Sequence, residues 1–168
     1  MTGIVVADAG PLIALSRIDR LALLNDVYGP IIVPSAVFSE LRVDSDRPGA
    51  RVLSGAFAQG AIESRPLGTG SEDELARMSR VLDPGEASAI LLAEQLRARF
   101  LLIDERRGRQ IARARGISVV GVAGVLLVAK RSGLLESVGM ALAELSRHRY
   151  RLSDALVQEV LRLAGELD

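Results

Sequence analysis

The stretch Phe100-Leu101-Leu102-Ile103-Asp104-Glu105-Arg106-Arg107-Gly108-Arg109 decides how the chain is read. Four apolar residues run straight into a carboxylate, and arginines follow. An unbroken apolar run bounded by polar residues predicts a strand buried on both faces. Ile111, Ala112 and Ala114 continue as one face of a helix, which Gly116 ends. Asp104 thus stands where a buried strand gives way to a crossover helix. In open α/β sheets, ligands bind at that carboxyl edge. The competing assignment is that Asp104 simply caps the helix.

The start of the chain repeats the arrangement. Gly3-Ile4-Val5-Val6-Ala7-Asp8 is a short apolar run ending on an aspartate, with a turn at Ala9-Gly10-Pro11. A helix follows, carrying Leu12 and Leu15, with Pro11 suited to its first position. Strands in successive β–α units usually run parallel, because their crossovers are right-handed and pack back on the sheet. Asp8 and Asp104 should then emerge at one edge of one sheet. Two carboxylates held close repel, so the pair needs a proton or a cation.

A chain of 168 residues suits one domain, and its 49% hydrophobic share, poor in aromatics, predicts a core of Leu, Val, Ile and Ala. Cysteine is absent from the sequence, which excludes disulfide and thiolate chemistry and fits a reducing compartment. No apolar run reaches the ~18 residues of a membrane helix. Residues 1–13 lack the basic segment of a signal peptide, so no membrane role and a cytoplasmic location are expected. The net charge of zero argues against a surface coated for nucleic acid. The charges are unevenly spread, however. Seven arginines between Arg97 and Arg115 face Asp104 and Glu105, whereas 71–86 holds Glu72, Asp73, Glu74, Asp83 and Glu86 against Arg77 and Arg80. A basic stretch beside an acidic focus suits a phosphodiester held near a metal site. Ordinary charges on a solvated helix are the alternative.

Between these landmarks the pattern predicts a helix over 21–28, a strand over 31–33 and a helix opened by Pro34 that runs to Leu41. Glu40 sits in the last turn of that helix, beside the face carrying Val37 and Leu41, where the dipole disfavours an acid. Such placement is a sign of function unless Arg42 or solvent satisfies it. Asp44 and Asp46 lie in a plain loop, since the EF-hand series does not continue. Residues 50–58 read as a helix and 61–63 as a strand. Ser71-Glu72-Asp73-Glu74 has the form of a capping box opening a helix to about Leu82, and Asp83-Pro84-Gly85-Glu86 has the same form. Taken locally, Glu86 needs no further role. Residues 117–120 predict a strand and 121–130 a helix. From about 134 to 168 the chain reads as two amphipathic helices separated near 148–152, the first served by Leu135, Val138, Met140, Leu142 and Leu145. His148, the sole histidine, lies among arginines and reads as surface, which rules out a histidine-based triad or zinc site.

Four acids at predicted element ends remain: Asp8, Glu40, Glu86 and Asp104. Hard oxygen donors of this kind suit Mg²⁺ or Mn²⁺. Such ions neutralise an acidic cluster, lower the pKa of a bound water and clamp a phosphodiester oxygen. That is the chemistry of a metal-dependent nuclease.

At this point the chain resembles the PIN-domain nucleases, and more closely a bacterial and archaeal branch of predicted nucleic-acid-binding PIN proteins. The resemblance is carried by Val6-Ala7-Asp8-Ala9-Gly10-Pro11-Leu12-Ile13-Ala14-Leu15, by Val33-Pro34 through Glu40-Leu41, and by Leu82-Asp83-Pro84-Gly85-Glu86-Ala87. Leu102-Ile103-Asp104-Glu105-Arg106-Arg107-Gly108-Arg109 and Gly121 through Gly133-Leu134 complete it, so it covers most of the chain. It implies a Rossmann-like α/β fold, a parallel sheet flanked by helices (α/β/α), as a single domain over 1–168 with a helical C-terminal part. It implies that Asp8, Glu40, Glu86 and Asp104 form the catalytic, metal-holding set for Mg²⁺ or Mn²⁺. It further implies single-stranded RNA as substrate and, for many relatives, a toxin role opposed by a small antitoxin protein.

Two positions depart from the family pattern. Many PIN toxins carry Ser, Thr or Asn two places after the first Asp and Thr or Ser two places before the last; here Gly10 and Leu102 stand there. Hydrogen bonds that such side chains give the metal or its water are not supplied from these places. A non-catalytic PIN scaffold binding nucleic acid or protein is therefore the alternative function. A receiver or phosphatase is a poor fit, because Gly10 replaces the second Asp a phosphatase needs and Lys130 falls inside a helix. The helices after Leu134 carry more apolar positions than one face of a small domain needs, which predicts a symmetric homodimer. Two acidic sites would then share one basic groove, lined in part by Arg106, Arg107 and Arg109, whose forks suit phosphate oxygens.

Overall fold

Alternate residues of three neighbouring strands point to opposite faces, and each face is covered by helices. In β1 (Val5–Ala7), Val5 and Ala7 join one apolar cluster and Val6 the other; in β4 (Phe100–Leu102), Leu102 and Leu101 divide the same way. Between them the chain forms α1 (Ala9–Arg17), α2 (Ala22–Tyr28), β2 (Ile31–Pro34), α3 (Ser35–Leu41), α4 (Ala50–Ala58), β3 (Ile62–Arg65), α5 (Glu72–Met78) and α6 (Pro84–Gln95). After β4 come α7 (Arg106–Ala114), β5 (Val119–Val120), α8 (Val122–Arg131), α9 (Val138–Arg147) and α10 (Asp154–Leu163). The computed structural model behind this description covers residues 3–167.

The five strands form one parallel sheet in the order β3-β2-β1-β4-β5. The expected Rossmann-like α/β architecture is therefore present. The chain winds from β1 outward through β2 to β3, then crosses back and continues on the other side of β1. The reversal falls between β1 and β4, the switch point at which open α/β sheets form their crevice. Register fixes the outcome: Ala7 lies opposite Leu102, and the Asp8 amide donates to the Leu102 carbonyl at 2.9 Å. Asp8 and Asp104 leave the sheet at the same edge, as their strands predicted.

One face carries α1, α2, α8 and α9, with Leu12, Leu15, Leu24 and Leu126 fully buried. The other carries α6 and α7, with Ile90, Leu92, Leu101 and Ile103 fully buried. Truncating any one of these leucines to alanine costs on the order of 2–5 kcal/mol.

Several local expectations are corrected. The helix after β1 begins at Ala9, so Pro11 is its third residue; the amide it lacks has no helical acceptor there in any case. Ser71 makes no capping bond: its hydroxyl donates to the Gly68 carbonyl and accepts from Gln95, and α5 ends at Met78 rather than Leu82. Asp104 does not cap α7. Glu105 does, accepting from the Gly108 amide at 2.9 Å. Met140, expected on the buried face of α9, is 69% exposed, while Val138, Ala141, Leu142 and Leu145 are buried. His148 is exposed as expected.

One carboxylate ties the chain after α10 to the start of α9 and to Lys130 of α8. Glu166 accepts from the Val138 and Gly139 amides at 2.7 and 2.8 Å and from the Ser137 hydroxyl, and pairs with Lys130 at 2.6 Å. It thereby closes the N-terminus of α9, where backbone amides and the helix dipole favour negative charge. Desolvation opposes the charge, but Lys130 and these donors overcome it and hold the carboxyl at about 2. A carboxylate with a depressed folded-state pKa contributes stability that is present above its unfolded pKa and lost as pH falls. Glu166→Gln should therefore cost about 1–2 kcal/mol near neutral pH, with the difference fading between about pH 4.5 and 2. Urea unfolding of both proteins across that range is the measurement; a pH-independent gap would show that the carboxylate's charge is not what holds α9.

Candidate functional site

Each strand end at the switch point delivers one acid. Asp8 follows β1 at the N-cap position of α1, yet its carboxylate caps no amide of that helix; it is buried. Asp104 follows β4 and turns its carboxylate toward α8, where the Val122 amide donates to both oxygens at 3.3 and 3.1 Å. Gly121 permits this approach, since a Cβ there would collide with the Asp104 carboxylate.

Helices bring the other two predicted acids to the same place. Glu86 sits in the first turn of α6, where the capping box of its sequence is real: Asp83 accepts from the Glu86 amide at 2.9 Å, and Glu86 accepts from the Asp83 amide at 3.3 Å. Capping does not exhaust its role, because the buried Glu86 carboxylate also lines the cleft. Glu40 reaches in from the last turn of α3 and makes no ion pair with Arg42. Its carboxylate lies against Gly85, 2.5 Å from where a Cβ would stand.

All four acids thus line one cleft of about 330 Å³, joined by three residues not singled out for it from sequence: Asp83, Glu105 and Tyr150. Asp83 was hidden behind its local duty as a helix cap, and Glu105 behind Asp104, the residue to which the sequence offers the cap of α7. Tyr150 carried no signal at all, because its place depends on a contact across 46 residues, a hydrogen bond from its hydroxyl to Asp104. Of the predicted substrate arginines, Arg106 and Arg107 are exposed on α7, whereas Arg109 turns inward and donates to the Ile103 carbonyl at 2.8 Å. Arg115 is committed elsewhere, to Glu74 and Glu94. Arg151 borders both the acidic cleft and an adjoining groove that also touches Arg106, Arg109 and Arg113.

The electrostatics follow from crowding acids into a partly buried space. Burial pushes the Asp8 carboxyl up to about 7; the Ala9 amide opposes the shift, and Glu86, Glu40 and Asp83 add to it. Glu86 is raised by burial and then by Asp83, and Glu40 likewise. The Tyr150 hydroxyl is raised by burial and by the Asp104 charge, so it remains a donor. Hard carboxylate oxygens around one cleft fit a divalent cation such as Mg²⁺ or Mn²⁺ by chemistry. Among the described residues, however, no three acids stand close enough together to form an assembled ion cage.

The family model DUF3368, a PIN domain, matches residues 4–166. No curated protein matches. Among solved structures, a PilT N-terminus domain protein of the hyperthermophilic archaeon Sulfolobus solfataricus P2 is similar at 14% identity and a TM-score of 0.45, over 80% of this chain and 96% of that one. Among the described residues no helix is long and apolar enough to cross a membrane.

A carboxyl whose pKa is raised by folding stabilises the fold fully below its unfolded value of 3.8, and that contribution is lost as pH rises through about 7. Metal-free protein should therefore be less stable at about pH 8 than at pH 5 on account of Asp8. Asp8→Asn should remove that loss, exceeding wild type by up to about 4 kcal/mol at the higher pH, with the gap closing toward pH 4. Urea unfolding in EDTA at both ends of the range reads it directly, and a mutant no more stable than wild type at pH 8 would contradict the crowding.

Proposed function

Because the chain belongs to the PIN-domain family, whose fold is of nuclease type, we propose that it is a metal-dependent endoribonuclease cleaving single-stranded RNA. The observation that carries this reading is the convergence of four acids, distant in sequence, on one cleft at the switch point of the sheet. Asp8, Glu40, Glu86 and Asp104 are the residues that would hold Mg²⁺ or Mn²⁺. The bound ion would supply a water of lowered pKa and neutralise charge on the scissile phosphate.

The chain's own residues divide the remaining work. Asp8 and Asp104 are fixed by the register of β1 on β4, so neither needs to find its place when an ion arrives. Glu86 is oriented by the Asp83 amide. Asp8, whose carboxyl burial raises to about 7, would have to be deprotonated to hold the ion, so affinity should rise with pH through about 7. Arg106 and Arg107, exposed on α7, and Arg151 at the border of the cleft would bind the phosphates on either side of the bond to be cut.

The same reading casts the protein as the toxin of a toxin–antitoxin pair, restrained in the cytoplasm by a small antitoxin protein. It further casts it as a symmetric homodimer. Exposed Met140, Leu156, Leu163 and Leu167 on the C-terminal helices and tail support that assembly. A second reading, a non-catalytic scaffold that binds nucleic acid or protein, is favoured by one observation: the acids do not stand as a ready-made cage among the described residues.

Metal and RNA separate the two readings. Mn²⁺ at a hundredfold excess over its Kd should stabilise wild type by about 2.7 kcal/mol, and neither Asp8→Asn nor Asp104→Asn should show that gain. Wild type should cut a single-stranded RNA oligonucleotide, and Glu86→Gln should keep its melting temperature, since Gln also serves in a capping box, while losing cleavage. Equal Mn²⁺-induced shifts in all three proteins would abandon the shared site in favour of the scaffold. In a separate experiment, Arg106→Glu/Arg107→Glu should weaken RNA binding and flatten its salt dependence, with KM rising more than kcat falls. An unchanged salt slope would remove these arginines from the substrate path.

A further inference from the structure

We propose that Tyr150 is a positioning residue of the acidic centre, its hydroxyl fixing the Asp104 carboxylate for the cation. The assignment rests on the metal-dependent reading above. Two donors hold the carboxylate at the end of β4. The Val122 amide reaches both Asp104 oxygens, and the Tyr150 hydroxyl donates to Oδ2. Oδ2 is thus shared by two donors, and Oδ1 is the less committed oxygen.

The linker that delivers Tyr150 is built to hold it. After α9, His148 closes the helix and Arg149 takes a left-handed turn with φ 64°. The Tyr150 amide then donates to the Leu145 carbonyl at 3.0 Å, reversing the chain one residue after the turn. On the far side Ser153 caps α10 through the Leu156 amide. Between these two pinned ends the half-buried Tyr150 and Leu152 pack on the cluster that covers the β1 face. An arginine-rich segment without periodicity thereby carries one phenol to the carboxyl edge of the sheet. A phenol of ordinary pKa near 10 is a donor throughout the neutral range, so it can orient a carboxylate and cannot act as its base.

The test is Mn²⁺ binding by isothermal titration calorimetry on the full chain, comparing wild type, Tyr150→Phe, Asp104→Asn and the double variant. Partners that orient metal ligands typically cost 10–100-fold in affinity when removed. Tyr150→Phe should weaken Mn²⁺ binding by roughly that factor, and adding it to Asp104→Asn should change nothing further. Unchanged Mn²⁺ affinity in Tyr150→Phe, with or without lost stability, would reduce Tyr150 to packing. Tighter binding would make it a plug that competes with the ion, which also overturns the proposal. Absence of any Mn²⁺ binding by wild type would overturn the metal centre itself and Tyr150's role with it, and is recognised because the unmutated chain fails.

Discussion

Val5, Val6 and Ala7 lie in register beside Phe100, Leu101 and Leu102, and each of these strands ends within two residues on an aspartate. The apolar strand residues are buried because helices cover both faces, and that burial sets the height at which both carboxylates leave the sheet. A slip of one residue would turn the apolar residues of a strand to the wrong face and move its aspartate with them. Packing of the core and placement of the site are therefore one constraint. Neither aspartate could be relocated without unpacking the sheet beneath it.

The cost of this arrangement is electrostatic. Six acids border one small cleft, and two of them, Asp8 and Glu86, are buried. Local helix geometry offsets part of the repulsion. Glu86 and Glu105 spend their charge partly on backbone amides at the start of α6 and α7, and Asp104 does so at the start of α8. For Asp8 the Ala9 amide offsets only part of the penalty, and burial holds its carboxyl up at about 7. A site whose acids are stabilised unequally has a defined order of protonation. The most basic member is the last to lose its proton as pH rises.

The fold was legible in the sequence wherever one short stretch contained its own explanation. Phe100 to Asp104 and Val5 to Asp8 each show an apolar strand running into an acid, and parallel pairing follows from the handedness of crossovers. Glu86 was harder, because its capping role was sufficient by itself and concealed the second. Ser71 shows the converse error: the form of a capping box is present, but Gly68 and Gln95 take its hydroxyl instead. Met140 fits an apolar periodicity and is nevertheless exposed, since periodicity does not say whether a neighbour exists to cover the face. Tyr150 was beyond reach for a different reason. Its position is the sum of a left-handed turn, a helix end and a long-range contact, none of which leaves a mark in local composition.

Gly85 places two selective demands on one backbone position. It occupies the first turn of α6 in helical conformation, where alanine is better by up to about 1 kcal/mol in helix propensity. A methyl group there would occupy the space now filled by the Glu40 carboxylate. A design procedure that ranks substitutions by folding free energy would install alanine and, in raising thermostability, evict an acid from the cleft. Engineering this scaffold for robustness therefore needs the cleft's free volume written in as a constraint of its own.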